Sequence, residues 1–465
     1  MEEKKFEIIY AADKGGLEKT FSIKANSLKH NTGVKFCGVP YDTKEKNVIK
    51  DFSGVVGSFV RILIGKKIDE EFVAEDVLTK IEQMVEMEED DKAVFRDIIC
   101  NLYINNGNLA VFNVKSMAYI QEQKSNEEKM ALFLYDVLMN DELRDVCKKV
   151  IQIPDKNIMN QLIFQAIPEL KDKNYKLGKY KNFVPYVREY FEKDINYLVS
   201  QPELFSKSLK RVLEYYYMFY VTQFAIKLNQ FNKAQRDKVE PLYYTLSWEV
   251  TSQDRDAYTK GYSYLKNCVE ELFSHAVTLE LINHNNLNEP MDYIDFYQYC
   301  EENNSEELVK ELELLRETYK NHINDVVWND CNERGNETCG NEAFDSVKKL
   351  FTNVVYQFRE SQRHGPHDKY KNWILYFVQA RFGRSRGRNG MNFNITEEDI
   401  ILFTQIIVGV AGGKILREKL FEEMEHRGLF FDRDSKNKII ELYEKLNLIE
   451  KKSDSGDAQY VRANL

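Results

Sequence analysis

Carboxylates and a lysine that could support magnesium-dependent DNA cleavage occur between residues 154 and 171. Pro154-Asp155 is followed by Glu169-Leu170-Lys171. In nucleases with this pattern the carboxylates bind Mg²⁺ and the lysine lies near the attacking water. The carboxylates belong on adjacent strands there, whereas residues 157–166 have the apolar spacing of an amphipathic helix. A divergent Mg-dependent nuclease using Asp155, Glu169 and Lys171 is therefore an alternative hypothesis.

Other catalytic and metal-binding patterns are incomplete. A P-loop ends in Gly-Lys-Ser/Thr so that a hydroxyl can hold magnesium, but Ile415 follows Gly413-Lys414. A structural zinc site needs four closely clustered ligands. Cys331 and Cys339 are eight residues apart, and His364-Gly365-Pro366-His367 has no partner pair nearby. The sequence therefore predicts no catalytic residues, no metal site and no cofactor.

A run of arginines is the clearest candidate for phosphate binding. Arg381, Arg384, Arg386 and Arg388 alternate with glycine and serine, which predicts a mobile loop. Guanidinium groups can bind a nucleic-acid backbone through two parallel hydrogen bonds. Residues 359–388 hold eight basic and two acidic residues, although the chain has a net charge of -10. The alternative is an inter-domain loop that pairs with acidic neighbours or partner subunits.

A second basic segment covers residues 171–181. It contains five lysines together with Tyr175 and Tyr180. Lysines interleaved with aromatic residues suit backbone tracking and base stacking on single-stranded nucleic acid. A solvated loop is the other interpretation, and it requires no ligand.

The composition indicates the elements that must position these residues. A chain of 465 residues with 43% hydrophobic residues is long enough for two or three cores. Only 8 prolines and 21 glycines favour helices over many short strands. We predict a mainly α protein in three parts: a mixed α/β N-terminal region (1–125), a helical domain ending in the Arg-rich loop (126–390) and a winged-helix-like domain (391–465).

Local sequence patterns predict helices and strands within the N-terminal region and the helical domain. Residues 6–10 and 109–114 have the composition of strands, and residues 72–85 have helical spacing. Residues 212–220 are apolar on nearly every side, which predicts the central helix of a bundle rather than an aromatic binding surface. Helical periodicity also covers residues 126–139, 202–233, 254–281, 304–321 and 341–362.

The last 75 residues predict three helices followed by a hairpin. Thr396 and Asp399 have the spacing of a capping box. A second helix is expected at 414–427, stopped by Gly428, and a third is expected to begin near Asp434 or Ser435. Two strand-like segments follow at 448–452 and 459–464. This order is that of a winged helix.

A winged helix could place its third helix in the major groove of DNA. The cations suited to that role are Arg433, Lys436 and Lys438 on the helix, with Lys451 and Lys452 on the wing. However, residues 391–465 contain fourteen acidic and eleven basic residues. Protein–protein docking is therefore an equal interpretation, and a transcriptional regulator is a further alternative. The arginine loop that precedes the winged helix could supply the positive charge that this domain lacks for binding DNA.

The apolar stretches, the first residues and the cysteines of the sequence indicate where in the cell the protein is expected. The longest apolar stretches, near residues 52–64 and 400–412, are shorter than the roughly 20 residues that span a bilayer. No apolar run follows the first five residues, and the seven cysteines are scattered, as reduced thiols are. We expect a cytoplasmic protein without a membrane segment.

Two stretches of the chain carry a distinctive pattern: the first is residues 243–252 with Arg255, Ala257-Tyr258 and Gly261, and the second comprises residues 430–435 and 446–461. Both resemble the DptG family of DNA phosphorothioation-dependent restriction systems. The resemblance implies a non-catalytic subunit of an anti-phage complex that includes an ATPase and a helicase-like protein. Such complexes attack DNA that lacks the host's sulfur-modified backbone. The subunit is expected to bind DNA, to bridge its partners, or both.

Overall fold

The computed structural model describes residues 5–24, 27–40, 48–287, 289–333, 338–451 and 459–462. Helices account for 60% and strands for 8% of the described residues, so the expectation of a mainly α protein is confirmed.

The N-terminal part consists of short helices connected by long irregular segments. Its helices are α1 (Leu17–Thr20), α2 (Ser53–Ile64), α3 (Ala74–Met84), α4 (Glu89–Tyr103), α5 (Glu127–Leu138), α6 (Asp141–Gln152) and α7 (Ile158–Ala166). Its strands form two small antiparallel pairs: β1 (Lys66–Lys67) with β4 (Lys171–Asp172), and β2 (Ile104–Asn105) with β3 (Asn108–Leu109).

The middle of the chain contains the longest helices. They are α8 (Pro185–Val199), α9 (Pro202–Gln230), α10 (Asp256–Thr259), α11 (Tyr262–Cys268), α12 (Leu272–Ile282), α13 (Tyr293–Glu302), α14 (Glu306–Asn321), α15 (Glu342–Glu360) and α16 (His364–Phe382). The strands β5 (Thr245–Leu246), β6 (Gly383–Ser385) and β7 (Met391–Ile395) form one sheet in the order β5–β7–β6.

The C-terminal part alternates helices and strands. Its elements are α17 (Glu397–Val410), β8 (Lys414–Leu416), α18 (Arg417–His426), α19 (Arg433–Lys445), β9 (Ile449–Lys451) and β10 (Gln459–Arg462). The three strands form an antiparallel sheet in the order β8–β10–β9.

Helix α9 runs through the main hydrophobic core. Tyr215, Tyr216, Tyr217 and Tyr220 are all at least 99% buried, so the prediction of a central helix is confirmed and an aromatic binding surface is wrong. Burying a helix on every side removes more apolar area from water than burying one stripe. Helices α2, α8, α11 and α12 pack against this helix.

Helices α3, α4 and α7 form a second, smaller core that we call the satellite. Val77, Ile81, Ile99 and Ile163 pack together there, apart from the main core. The helix predicted at 72–85 is present as α3. Tyr103 on α4 donates a hydrogen bond to Asn160 on α7 (2.7 Å), which joins two pieces of chain that are distant in sequence.

The two strands predicted in the N-terminal region are largely wrong. Residues 6–10 contain only an isolated bridge between Ile8 and Asn285. Of residues 109–114, only Leu109 is in a strand, where it pairs with Ile104. Ile8 is nevertheless buried, and its backbone N–H donates to Glu311 (2.8 Å), so tertiary contacts replace the sheet ladder that its composition suggested.

The C-terminal elements follow the predicted order with two corrections. The capping box between Thr396 and Asp399 is present. The cap of α19 is Asp432, which accepts from the N–H of Ser435 (3.0 Å), rather than Asp434 or Ser435. The second helix begins at Arg417 instead of 414, because residues 414–416 pair with β10.

Side chains of this C-terminal part belong to the same core as α9. Arg427 and Asp194 form an ion pair of 2.7 Å with neither side chain exposed. Tyr216 donates to Asp194, and Tyr215 donates to the carbonyl of Arg427 (both 2.6 Å). Helix α18 is therefore fixed directly to α8 and α9.

Candidate nucleic-acid interface

The arginine-rich segment is an ordered hairpin and not the mobile loop that its composition predicts. Strand β6 pairs with β7 in antiparallel register, and β7 pairs in parallel with β5. Gly387 and Gly390 adopt left-handed φ values of 62° and 81° in the turn, which explains the glycines among the arginines. We call residues 383–395 the arginine hairpin.

Two of the four predicted arginines hold the hairpin in place. Arg381, at the end of α16, pairs with the fully buried carboxylate of Glu214. Arg386 donates to the carbonyls of Leu246 (2.7 Å) and Glu249 (3.1 Å). Burial and the neighbouring Arg384 charge lower the pKa of Arg386. Both guanidinium groups have internal partners, but only Arg381 has the acidic neighbour that the alternative interpretation of the loop expected.

The other two predicted arginines face solvent. Arg384 is exposed and donates one hydrogen bond to the carbonyl of Ser247. Arg388, in the turn, is also exposed. Both therefore present charge on a hairpin whose backbone is fixed, which lowers the entropy cost of binding a ligand.

A buried charge network forms the N-terminal end of α19. Arg255 donates to Asp432 (2.7 Å and 2.6 Å) and to the hydroxyl of Ser435 (2.6 Å). Glu249 lies 3.2 Å from Arg255 and accepts from Ser435 (3.0 Å). Burial opposes the ionisation of Asp432, but hydrogen bonds from Arg255 and Ser435 hold its pKa below the usual value.

Glu249 connects this network to the arginine hairpin. Its carbonyl accepts from Arg386, and its carboxylate accepts from Ser435. The backbone of Tyr244 also donates to the carbonyl of Phe430 (2.9 Å). Segments near residues 245, 385 and 432 therefore meet at one place. Glu249 and Arg255 both lie in the stretch that carries the family resemblance, but the resemblance assigns no role to individual residues, so sequence reasoning did not select them as functional.

The predicted cations of the C-terminal part differ in their surroundings. Arg433 is exposed at the first position of α19. Lys436 pairs with Glu425 (2.7 Å), and Lys438 pairs with Glu441 (2.8 Å). Lys451 is the last residue of β9, and Lys452 lies outside the described residues.

A cleft of about 630 Å³ lies between α18 and α19. Its apolar walls include Tyr243, Phe421 and Ile440. Its charged lining contains five acidic and three basic residues: Asp256, Glu418, Glu422, Glu425, Asp432, Arg417, Arg433 and Lys436. This acidic excess repels phosphate, so the cleft face of α19 is poorly suited to entering a DNA groove.

Two of the three residues of the nuclease hypothesis, Asp155 and Lys171, have separate structural roles, and the third, Glu169, is exposed. Asp155 accepts from the side chains of Asn113 (2.6 Å) and Asn160 (2.8 Å) at the start of α7. Lys171 pairs with Asp69 (2.5 Å). Within the described ranges there is no group of three or more His, Cys, Asp or Glu residues that could hold a metal ion. No observation favours cleavage at this position.

The second basic segment also has internal partners. Lys173 pairs with Glu128 (2.7 Å), and Lys181 pairs with Asp295 (3.3 Å). Tyr180 is buried, and Tyr175 donates to the carbonyl of Lys66 (2.8 Å). Stacking of bases on both tyrosine rings is therefore not supported by their positions.

Together the fold and the site define a mainly α-helical protein with an ordered basic hairpin next to its C-terminal helices. In the described part of the chain, no helix combines the length and the apolar character needed to cross a bilayer. No family model matches the sequence, and no curated protein is significantly similar to it.

Proposed function

We propose that this protein is a non-catalytic, DNA-binding subunit of a bacterial phosphorothioation-dependent restriction complex, in which an ATPase and a helicase-like protein are its partners. The resemblance of residues 243–252 with Arg255, and of residues 430–435 and 446–461, to the DptG family supports the proposal. These stretches are far apart in sequence but contact each other through Arg255 and Asp432. A shared structural role explains why both carry the family pattern.

The observation that carries DNA binding is the position of three exposed arginines. Arg384, Arg388 and Arg433 lie on the two elements that Glu249 connects. Within a chain of net charge -10, these three exposed guanidinium groups supply positive charge that phosphates can approach. The order α17–β8–α18–α19–β9–β10 supports assigning a winged helix beside it.

The proposed contact is with the DNA backbone rather than with base edges. Lys436 and Lys438 are engaged with carboxylates, and the adjoining cleft has an acidic excess. Phosphate contacts fix the position of a protein on DNA without reading its sequence. We therefore do not propose that this subunit alone recognises a particular DNA sequence.

The test replaces the three exposed arginines together, as Arg384→Ala, Arg388→Ala and Arg433→Ala. Binding to a fluorescent duplex is measured from about 50 to 200 mM salt. The slope of log K against log salt should become shallower by about 0.9 for each arginine that no longer neutralises a phosphate. The weakening should be equal for unrelated DNA sequences.

A matched control removes three exposed lysines from other elements: Lys14, Lys207 and Lys310. This control changes the net charge equally, so it should leave the slope close to that of the original protein. An equal effect of both triple variants would reduce the interaction to bulk charge. Absence of binding at low salt, alone and with the ATPase partner, would refute the proposal.

A further inference from the structure

Helix α4 presents a row of apolar side chains to solvent. Val94, Ile98 and Leu102 are 61%, 45% and 59% exposed. Their spacing of four residues places them on one face of the helix. A continuous apolar row of this kind on a surface is typical of an interaction site.

The opposite face of α4 already supplies the packing that holds it in the satellite. Ile99 and Tyr103 are buried there, and Phe95 packs against the same core. The exposed row is therefore not needed for the packing of α4. Its surface is better covered by another molecule, because buried apolar area is stabilising at about 25 cal/mol per Å².

The surroundings of the row are acidic. Asp90, Asp91 and Asp97 are exposed, and among the described residues none of these three carboxylates forms an ion pair. The two basic residues of α4 are already engaged: Lys92 with Glu89, and Arg96 with Glu75 and Glu82. The face therefore combines an apolar centre with a negative rim.

We propose that the outward face of α4 is the docking site for a helix of a partner protein. That helix carries apolar side chains at intervals of three and four residues, with lysine or arginine along its flanks. The apolar rows interdigitate as in other helix pairs, and the basic flanks neutralise the aspartates. This inference goes beyond the proposed function and does not rest on DNA binding.

A second copy of the chain fits this face less well. A parallel pair of α4 helices places both sets of aspartates together, which is repulsive. An antiparallel pair places them beside the other end of α4, where the exposed residues are Asn101 and Leu102. Neither arrangement supplies the positive charge that the rim requires.

The probe is a synthetic amphipathic helix with a leucine row and lysine flanks, together with a twin that has glutamate flanks. The full-length protein should bind the lysine peptide, and Ile98→Asp should weaken binding by at least about tenfold. Leu314→Asp is the matched control, since Leu314 is 53% exposed on α14, outside the satellite. It should have no effect.

The contribution of the rim is measured with Asp90→Asn, Asp91→Asn and Asp97→Asn combined. This variant should bind more weakly and with less salt dependence. Ile98→Gln provides a second variant of the row if Ile98→Asp unfolds. DNA binding should be unchanged in all of them, which separates this test from that of the proposed function.

Three outcomes would overturn the inference. The first is a peptide affinity that Ile98→Asp and Ile98→Gln leave unchanged. The second is equal binding of the two peptides. The third is a dimer of the protein that dissociates in Ile98→Asp, which would assign the face to a second copy.

Discussion

Arg427 and Asp194 form an ion pair at positions that water does not reach. Removing two ions from water is costly, and their attraction compensates only when the geometry is good and other hydrogen bonds are satisfied. Here Asp194 also accepts from Tyr216, and Arg427 also pairs with Glu423 (2.7 Å). Each charge therefore depends on the other for its solvation.

Asp194→Asn should lower the free energy of unfolding by about 3–5 kcal/mol, because it removes the buried counter-charge of Arg427 and leaves only the partly exposed carboxylate of Glu423. Urea unfolding followed by circular dichroism measures the change. The double replacement Asp194→Leu with Arg427→Met removes both charges and should recover part of that stability. A double variant less stable than Asp194→Asn contradicts this account.

At the residue scale, the sequence predicted which arginines are clustered but not what each one does. Arg381, Arg384, Arg386 and Arg388 share the same local pattern. They differ because Glu214 and the carbonyls of Leu246 and Glu249 come from distant parts of the chain. Short-range periodicity contains no information about those partners. The exposed pair could be distinguished only in three dimensions.

At the element scale, the end of α18 depends on a glycine. Gly428 has φ of 82°, and a methyl group at its Cα would lie 2.4 Å from the ring of Phe219 on α9. The chain can therefore turn from α18 toward α19 only if no side chain occupies this place. The same close approach brings Arg427 to its partner on α8.

Gly428→Ala should lower the free energy of unfolding by about 2–4 kcal/mol, because left-handed strain adds to a steric clash. Gly412→Ala is the control, since Gly412 has φ of 83° but open space around the added methyl group. That control should cost only about 1 kcal/mol. Thermal unfolding of both variants compares them, and equal destabilisation would exclude the clash.

Helices were predictable from sequence where apolar spacing was long and regular, and the strand segments of the C-terminal part were predicted as well, but the N-terminal strands were not. Helix α9 and the capping box of α17 follow from local patterns. The segment at residues 6–10 has strand composition but lies against α14 and the residues that follow α12, without a neighbouring strand. Strand formation requires a partner, and composition does not show whether the fold supplies one.

At the scale of the whole molecule, two hydrophobic cores have very different sizes. The main core includes side chains from Phe6 to Val461, whereas the satellite core is formed by eight buried residues within the described ranges. A smaller core buries less apolar area, so its cooperative unit opens at lower free energy. The boundary predicted at residue 125 does not separate these cores. Helix α2 lies before it but packs in the main core against α5, and α7 lies after it but packs in the satellite with α3 and α4.

Ile99→Ala should destabilise the satellite selectively, because it leaves a cavity worth about 2–4 kcal/mol in a core of this size. Hydrogen exchange should accelerate in α3, α4 and α7, while the amides of α9 keep their protection. Leu213→Ala, in the main core, is the matched control and should accelerate exchange in α9. Uniform acceleration by Ile99→Ala would mean that the two cores unfold as one.

The satellite is assembled from two stretches of chain with α5 and α6 between them. During translation, α3 and α4 leave the ribosome well before Ile163 and Ala166 of α7 become available to cover them. Until then, the apolar residues of α3 and α4 that pack against α7 in the folded protein remain exposed, in addition to the exposed row of Val94, Ile98 and Leu102. A nascent chain paused in this interval exposes hydrophobic side chains on both sides of α4 and is a natural client for a holding chaperone.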